Sequence, residues 1–138
     1  MEWRVKNKES QIVTKMSTSN LAEFKENMKL RTKNFAHDCV KFSLDLPKNT
    51  LGSHIRGQLI RCSTSVAANY RASCVAQTVP MIISKLSISI EEADESEFWL
   101  EFAVDEKLAI KETAEKMIQE AHEIASILIK SLQTLQNR

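Results

Sequence analysis

The sequence predicts an all-α protein: an antiparallel, up-down-up-down four-helix bundle behind a polar N-terminal extension. Composition supplies the first reason. Only two glycines and two prolines occur in 138 residues, of which 43% are hydrophobic and 27% charged, a balance suited to packed helices. Periodicity supplies the second. Four segments repeat their apolar residues at helical spacing, and short connections between them make sequential helices antiparallel neighbours. No strand alternation, internal repeat or low-complexity tract competes with this pattern. A chain of this length suits a single domain with one core.

Residues 1–20, MEWRVKNKESQIVTKMSTSN, are polar and rich in Lys, Ser and Thr without sustained periodicity. They are expected to form a flexible or adaptable extension, with residues 21–138 as the bundle domain. The first helix is expected over about 21–46, where Leu21, Phe24, Met28, Phe35, Cys39, Phe42 and Leu46 hold helical spacing behind Asn20 as N-cap. Leu46-Pro47 ends it, because the residue before a proline is pushed out of the α region.

The second helix, about 51–74 behind Thr50, lacks an ordinary solvent face. Ile55, Leu59, Cys62, Val66, Asn69 and Ser73 form its inner stripe. The opposite side carries Gly57, Thr64 and Ala68, flanked by Ile60, Ala67, Arg61 and Arg71, where Lys and Glu would be expected in water. Small residues there let another backbone approach closely. The reading is a helix packed on both sides, which a chain of this size achieves most easily by oligomerising.

Thr78 caps the third helix, Pro80 sits in its first turn, and the pattern continues to about Val104. Its inner stripe is expected to be Leu86, Ile90, Ala93, Glu97, Leu100 and Val104, which places a carboxylate on an apolar face. The fourth helix spans about 110–136 on Ile110, Ala114, Met117, Ala121, Ile124, Leu128 and Leu135. Helices of ~25 residues would each be ~37 Å long.

Charge is unevenly spread. Residues 1–73 carry a net +7 and residues 74–138 a net −6, for a total of +1. Packing basic helices on acidic ones would satisfy this internally; a charged partner would satisfy it externally. Cys39, Cys62 and Cys74 are odd in number and lack CxxC spacing, so neither a disulfide framework nor a zinc site is expected. The first 20 residues lack the apolar run of a signal peptide, and no stretch approaches membrane-spanning length. A cytoplasmic location, no membrane partner and no cofactor are therefore expected.

Glu97 needs a hydrogen-bond donor or a proton if buried, since an unpaired buried carboxylate costs several kcal/mol. A structural polar network with Asn69 and the hydroxyls of residues 63–65 would supply one and fix helix register. A general acid or metal ligand is the alternative. Six acids between Glu91 and Glu101 invite a di-metal carboxylate site, but such bundles use Glu-x-x-His. The residues three before His37, His54 and His122 are Asn34, Leu51 and Gln119, so that motif is missing each time.

Met81, Ile88, Glu92, Glu95 and Trp99 lie on the outward side of helix three. They complement the small residues and the two arginines on the back of helix two. Arg61 and Arg71 with Glu92, Glu95 and Trp99 are accordingly expected to hold an assembly, although the same pairs can form within one chain. Lys25, Lys29 and Lys33 repeat at i, i+4 and i+8 on helix one. With Arg31, Lys41 and the tail residues Arg4, Lys6, Lys8 and Lys15 they make a candidate phosphate-binding surface for RNA or DNA. A solvated helix face is the other reading. Nucleophile elbows and phosphate-cradling glycine loops are missing, so an enzyme is not expected.

The segments Gln58-Leu59-Ile60-Arg61, Thr64 to Ala72, Ser84-Lys85-Leu86 and Glu91 to Glu101 resemble the four helix bundle protein family. Its members are also called 23S rRNA-intervening-sequence proteins, because some are encoded inside insertions in ribosomal RNA genes. The similarity covers roughly residues 25–136. It implies an antiparallel four-helix bundle, often assembled as a ring-like homopentamer, and little biochemistry. Related accessory proteins of diversity-generating retroelements work with a reverse transcriptase and RNA through basic surfaces. The resemblance therefore implies a non-enzymatic interaction or accessory subunit, with nucleic acid or a reverse transcriptase as alternative partners.

Overall fold

A computed structural model describes residues 18–137 and contains four helices: α1 (Thr18–Leu44), α2 (Thr50–Val75), α3 (Val79–Asp105) and α4 (Lys111–Gln136). Most of the expected extension lies outside the described residues. Residues near the start of α1 meet the end of α2, since Arg71 acts on Glu26. Those near its end meet the start of α2, where Arg56 reaches Ser43. Ser96 bonds Cys62 while Ser89 bonds Val66, so α3 runs antiparallel to α2. Glu97 faces His122 on α4, and Arg31 of α1 reaches Glu120. The bundle closes in that order, and of its four neighbouring seams the one between α1 and α4 is the sparsest.

Each end has a local cause. α1 begins at Thr18, so Asn20 sits inside the helix and not at its cap. The helix stops at Leu44, and Asp45 and Leu46 N–H groups close back on Phe42 and Ser43 carbonyls at 3.2 Å. Arg56 then donates to the carbonyls of Ser43 (3.2 Å) and Leu46 (2.9 Å), which ties the start of α2 to the end of α1. Asn49, one residue before the expected cap, accepts from the Gly52 N–H at 2.8 Å. Gly52 is obligatory in this tight turn: a Cβ there would run into the Pro47 carbonyl.

Thr78 caps α3 as expected, accepting from Met81 N–H at 3.3 Å, with Pro80 in the first turn. α3 ends where Lys107 adopts φ 61°, the left-handed conformation usually given to glycine. Leu108 N–H then reaches back to the Ala103 carbonyl at 2.9 Å.

The core is one cluster built around Phe35, Cys39, Leu59, Val66, Leu100, Ile124 and Leu128. α2 buries Ile55, Leu59, Cys62 and Val66 as expected, then continues through Tyr70 and Ser73, leaving Asn69 half-buried at the edge. α3 buries Leu86, Ser89, Ala93, Ser96, Leu100 and Ala103. Ser89, Ser96 and Ala103 thus take the places expected for Ile90, Glu97 and Val104. The reason is size. Small side chains let α2 and α3 approach closely, and their hydroxyls are satisfied locally: Ser89 donates to the Val66 carbonyl at 2.7 Å and Ser96 to the Glu92 carbonyl at 2.8 Å.

Candidate interaction surface

Along the outer seam of α2 and α3 the structure gathers Arg61, Glu92, Glu95 and Trp99. Arg61 donates to Glu92 Oε2 at 3.0 Å, to Glu95 Oε2, and to the Gln58 side-chain oxygen at 3.3 Å. Glu95 Oε2 also accepts from the Trp99 indole N–H at 3.0 Å. Trp99 carries the row onward: His54 stands edge-on at 5.4 Å between centroids, Phe98 at 4.9 Å and Phe102 at 6.0 Å. Phe98 is 51% exposed. The outcome is a polar clasp that merges into an aromatic edge.

Beside that seam lies the outer face of α2. Gly57, Thr64 and Ala68 are exposed, and Val75 on the same line is 72% exposed. A Cβ built on Gly57 would meet nothing within 4 Å. Thr64 turns its hydroxyl back to the Ile60 carbonyl at 2.7 Å, which satisfies it within its own helix. Nothing on the α1 or α3 side of this chain accounts for such small residues.

Arg71 departs from the expected grouping. It lies on the α1 edge of α2, where it adds to the Lys29 hydrogen bond and charge that hold the Glu26 carboxyl below its ordinary range. Asn69 and Glu97 do not meet. The Asn69 amide donates to the Ser65 carbonyl (3.0 Å) and hydroxyl (2.8 Å). Glu97 opens instead toward α4, with His122 Nδ1 at 3.7 Å from its carboxylate. Burial raises its pKa, and the hydrogen bond and charge of Glu101 add to the rise, against the lowering effect of His122. Burial also pushes the Cys62 thiol up to about 11, so it packs as a neutral side chain. Among the described residues, no group of three or more His, Cys, Asp or Glu is placed to hold a metal ion.

Residues 10–130 match the family of the 23S rRNA-intervening sequence protein. The chain belongs to this family. A search among curated proteins found no match. Of solved structures, one from Bacteroides thetaiotaomicron VPI-5482, a protein with unknown function from the S23 ribosomal protein family, is similar at 28% identity and a TM-score of 0.70. The similarity covers 77% of this chain and 98% of that one. The matched residues span α1 to α3 and most of α4, so the α2–α3 clasp lies within the family likeness.

The basic ladder of this family member is not a continuous cationic face. Lys25 is half-buried, Lys29 pairs with Glu26 at 2.8 Å, and Lys33 and Lys41 are exposed. Arg31 crosses to α4, where it donates to both oxygens of Glu120 (2.8 and 2.7 Å) and to Glu123 at 3.3 Å. Sequence reasoning missed Arg56, His54, Phe98 and Phe102. The aromatic triplet at 98, 99 and 102 was visible as an i, i+1, i+4 pattern. No helix among the described residues is long and apolar enough to cross a membrane.

Proposed function

We propose that this chain is a non-enzymatic interaction or accessory protein that works as a closed assembly of its own copies. The surface that joins them is the outer face of α2 with the aromatic edge it shares with α3. The observation that carries this reading is Gly57, an exposed glycine in mid-helix with open space at its Cβ position. Glycine there costs about 0.5–1 kcal/mol relative to alanine. A close partner gives that cost a use, and the uncovered Thr64, Ala68, Val75 and Phe98 extend the same surface. Tryptophan and arginine are the residues that most often anchor interfaces. Five is the copy number that the family resemblance implies. Three free thiols, two of them buried, suit a reducing cytoplasm.

Light scattering on the purified protein tests this: a mass several times 15.7 kDa is expected. A stable single chain at micromolar concentration would overturn it. RNA or DNA binding through α1, with a reverse transcriptase as companion, is the weaker reading, because Arg31 and Lys29 are engaged by carboxylates.

A further inference from the structure

The seam opposite the α2–α3 clasp is open. Between α1 and α4 lies a groove of about 970 Å³ that runs from Asn27 to Asp45 on one wall. At 1.5 Å per residue that wall is ~27 Å long, five turns of helix. Phe35, Phe42 and Met117 form the floor, and Leu30, 59% exposed, stands on the rim. Six acids line it: Asp38 on α1, Asp45 just past its end, and Glu112, Glu115, Glu120 and Glu123 on α4. Arg31, Lys41 and Lys116 are the only cations in the lining, which leaves it at net −3. Arg31 is held by Glu120 and Glu123. Among the described residues, no ion pair engages Asp38, Asp45, Glu112 or Glu115.

The geometry points to this groove as the docking site of a cationic amphipathic helix from a partner protein. Two antiparallel helices set apart leave a trough that a fifth helix fills by ridges-into-grooves packing. Its apolar stripe would cover the exposed Leu30 and the half-buried Met117, above Phe35 and Phe42, which the core already buries. Lys or Arg flanking that stripe would meet Asp38 and Asp45 on one wall and Glu112 and Glu115 on the other. The wall acids recur at seven residues between Asp38 on α1 and Asp45 just past its end, and at three on α4, so charges at helical spacing on the partner face both rows. Net charge here repels a phosphate backbone and excludes an acidic peptide. This site does not depend on self-assembly, since it occupies the opposite side of the bundle from Gly57 and Trp99.

The probe is a fluorescent 18-residue peptide with leucines at i, i+3, i+4 and i+7 spacing and lysines flanking them. It is compared with a scrambled peptide of identical composition and with a version carrying Glu for Lys. Anisotropy titrations against the full chain are expected to show binding at least tenfold tighter for the amphipathic cationic peptide than for either control. Binding should weaken at least tenfold in a D45K/E112K/E115K variant, all three sites being exposed and free of core contacts. A second variant, Glu115→Lys alone, should lose part of that affinity. Equal binding of the scrambled peptide, absence of binding, or indifference to both variants would overturn the proposal. So would dissociation of the protein's own assembly by the triple variant, because the groove would then be a contact between copies.

Discussion

The Trp99 indole N–H donates to Glu95 Oε2 at 3.0 Å, one turn earlier on the same helix, and Arg61 of α2 binds that same oxygen. One carboxylate thereby fixes the direction of an aromatic ring and a guanidinium on the bundle's outer seam. The Arg61 side chain remains 49% exposed and that of Glu95 34%. Such a pair contributes only about 0.2–1 kcal/mol to a fold. Arg61→Ala should therefore lower chain stability by no more than about 1 kcal/mol in urea titrations. If the seam joins copies, the same change should reduce the mass measured by light scattering. Loss of folding without a change in assembly would contradict both halves of the expectation.

Two glycines on α2 should respond in opposite directions. At Gly52 a methyl group would strike the Pro47 carbonyl, so the α1–α2 turn must shift. Gly52→Ala is expected to destabilise the fold by about 1–3 kcal/mol, the usual cost of overpacking. At Gly57 the same methyl meets open space, and Gly57→Ala should stabilise the isolated chain by roughly 0.5–1 kcal/mol. Gly57→Leu should keep the fold and hinder assembly. Denaturation midpoints for the first pair and scattering mass for the last provide the check.

Lys107 holds φ 61° at the end of α3, where the Leu108 N–H returns to Ala103. A left-handed conformation costs a residue with a Cβ about 1–2 kcal/mol, part of which glycine gives back through its greater unfolded freedom. Lys107→Gly should raise stability by roughly 0.5–1 kcal/mol. A thermal melt with no upward shift would mean that the lysine side chain contributes contacts of comparable worth.

The bundle was largely legible in the sequence because its two strongest signals agree. Ile55, Leu59, Cys62 and Val66 repeat at helical spacing, and all four are buried. Glu97 misled for a physical reason. Periodicity ranks positions by apolar bulk, so it selects Ile90 and Val104; closest approach between α2 and α3 selects small side chains, so Ser89, Ser96 and Ala103 go inside. Arg61 and Arg71 share the outward half of α2, yet spacing says nothing about which neighbouring helix each edge meets. The cap of α2 moved by one residue because Asn49 and Thr50 are both competent acceptors beside the same N–H groups. The α1–α4 groove was invisible for a different reason: it depends on how far apart two helices stand, which no local pattern encodes.

Glu97 offers a pH test. Its pKa is raised above the ordinary 4.5 by burial and by Glu101, with Asp94 adding and His122 opposing. A raised carboxyl binds its proton more tightly in the folded chain than in the unfolded one. Its contribution is therefore most favourable below pH 4.5 and is lost as pH rises through the folded value; above that, the ionised group weakens the fold. Glu97→Gln removes the charge while keeping the shape. The variant should melt higher than the parent at pH 7, and the difference should shrink toward zero near pH 4. The reverse pattern, a variant that is weaker at pH 7 and equal at pH 4, would show that attraction to His122 outweighs burial and Glu101, and the sign of the shift would then be wrong. A His122→Ala variant separates the two contributions, because it deletes the one opposing partner and should lower the melting temperature at pH 7 only if that attraction matters.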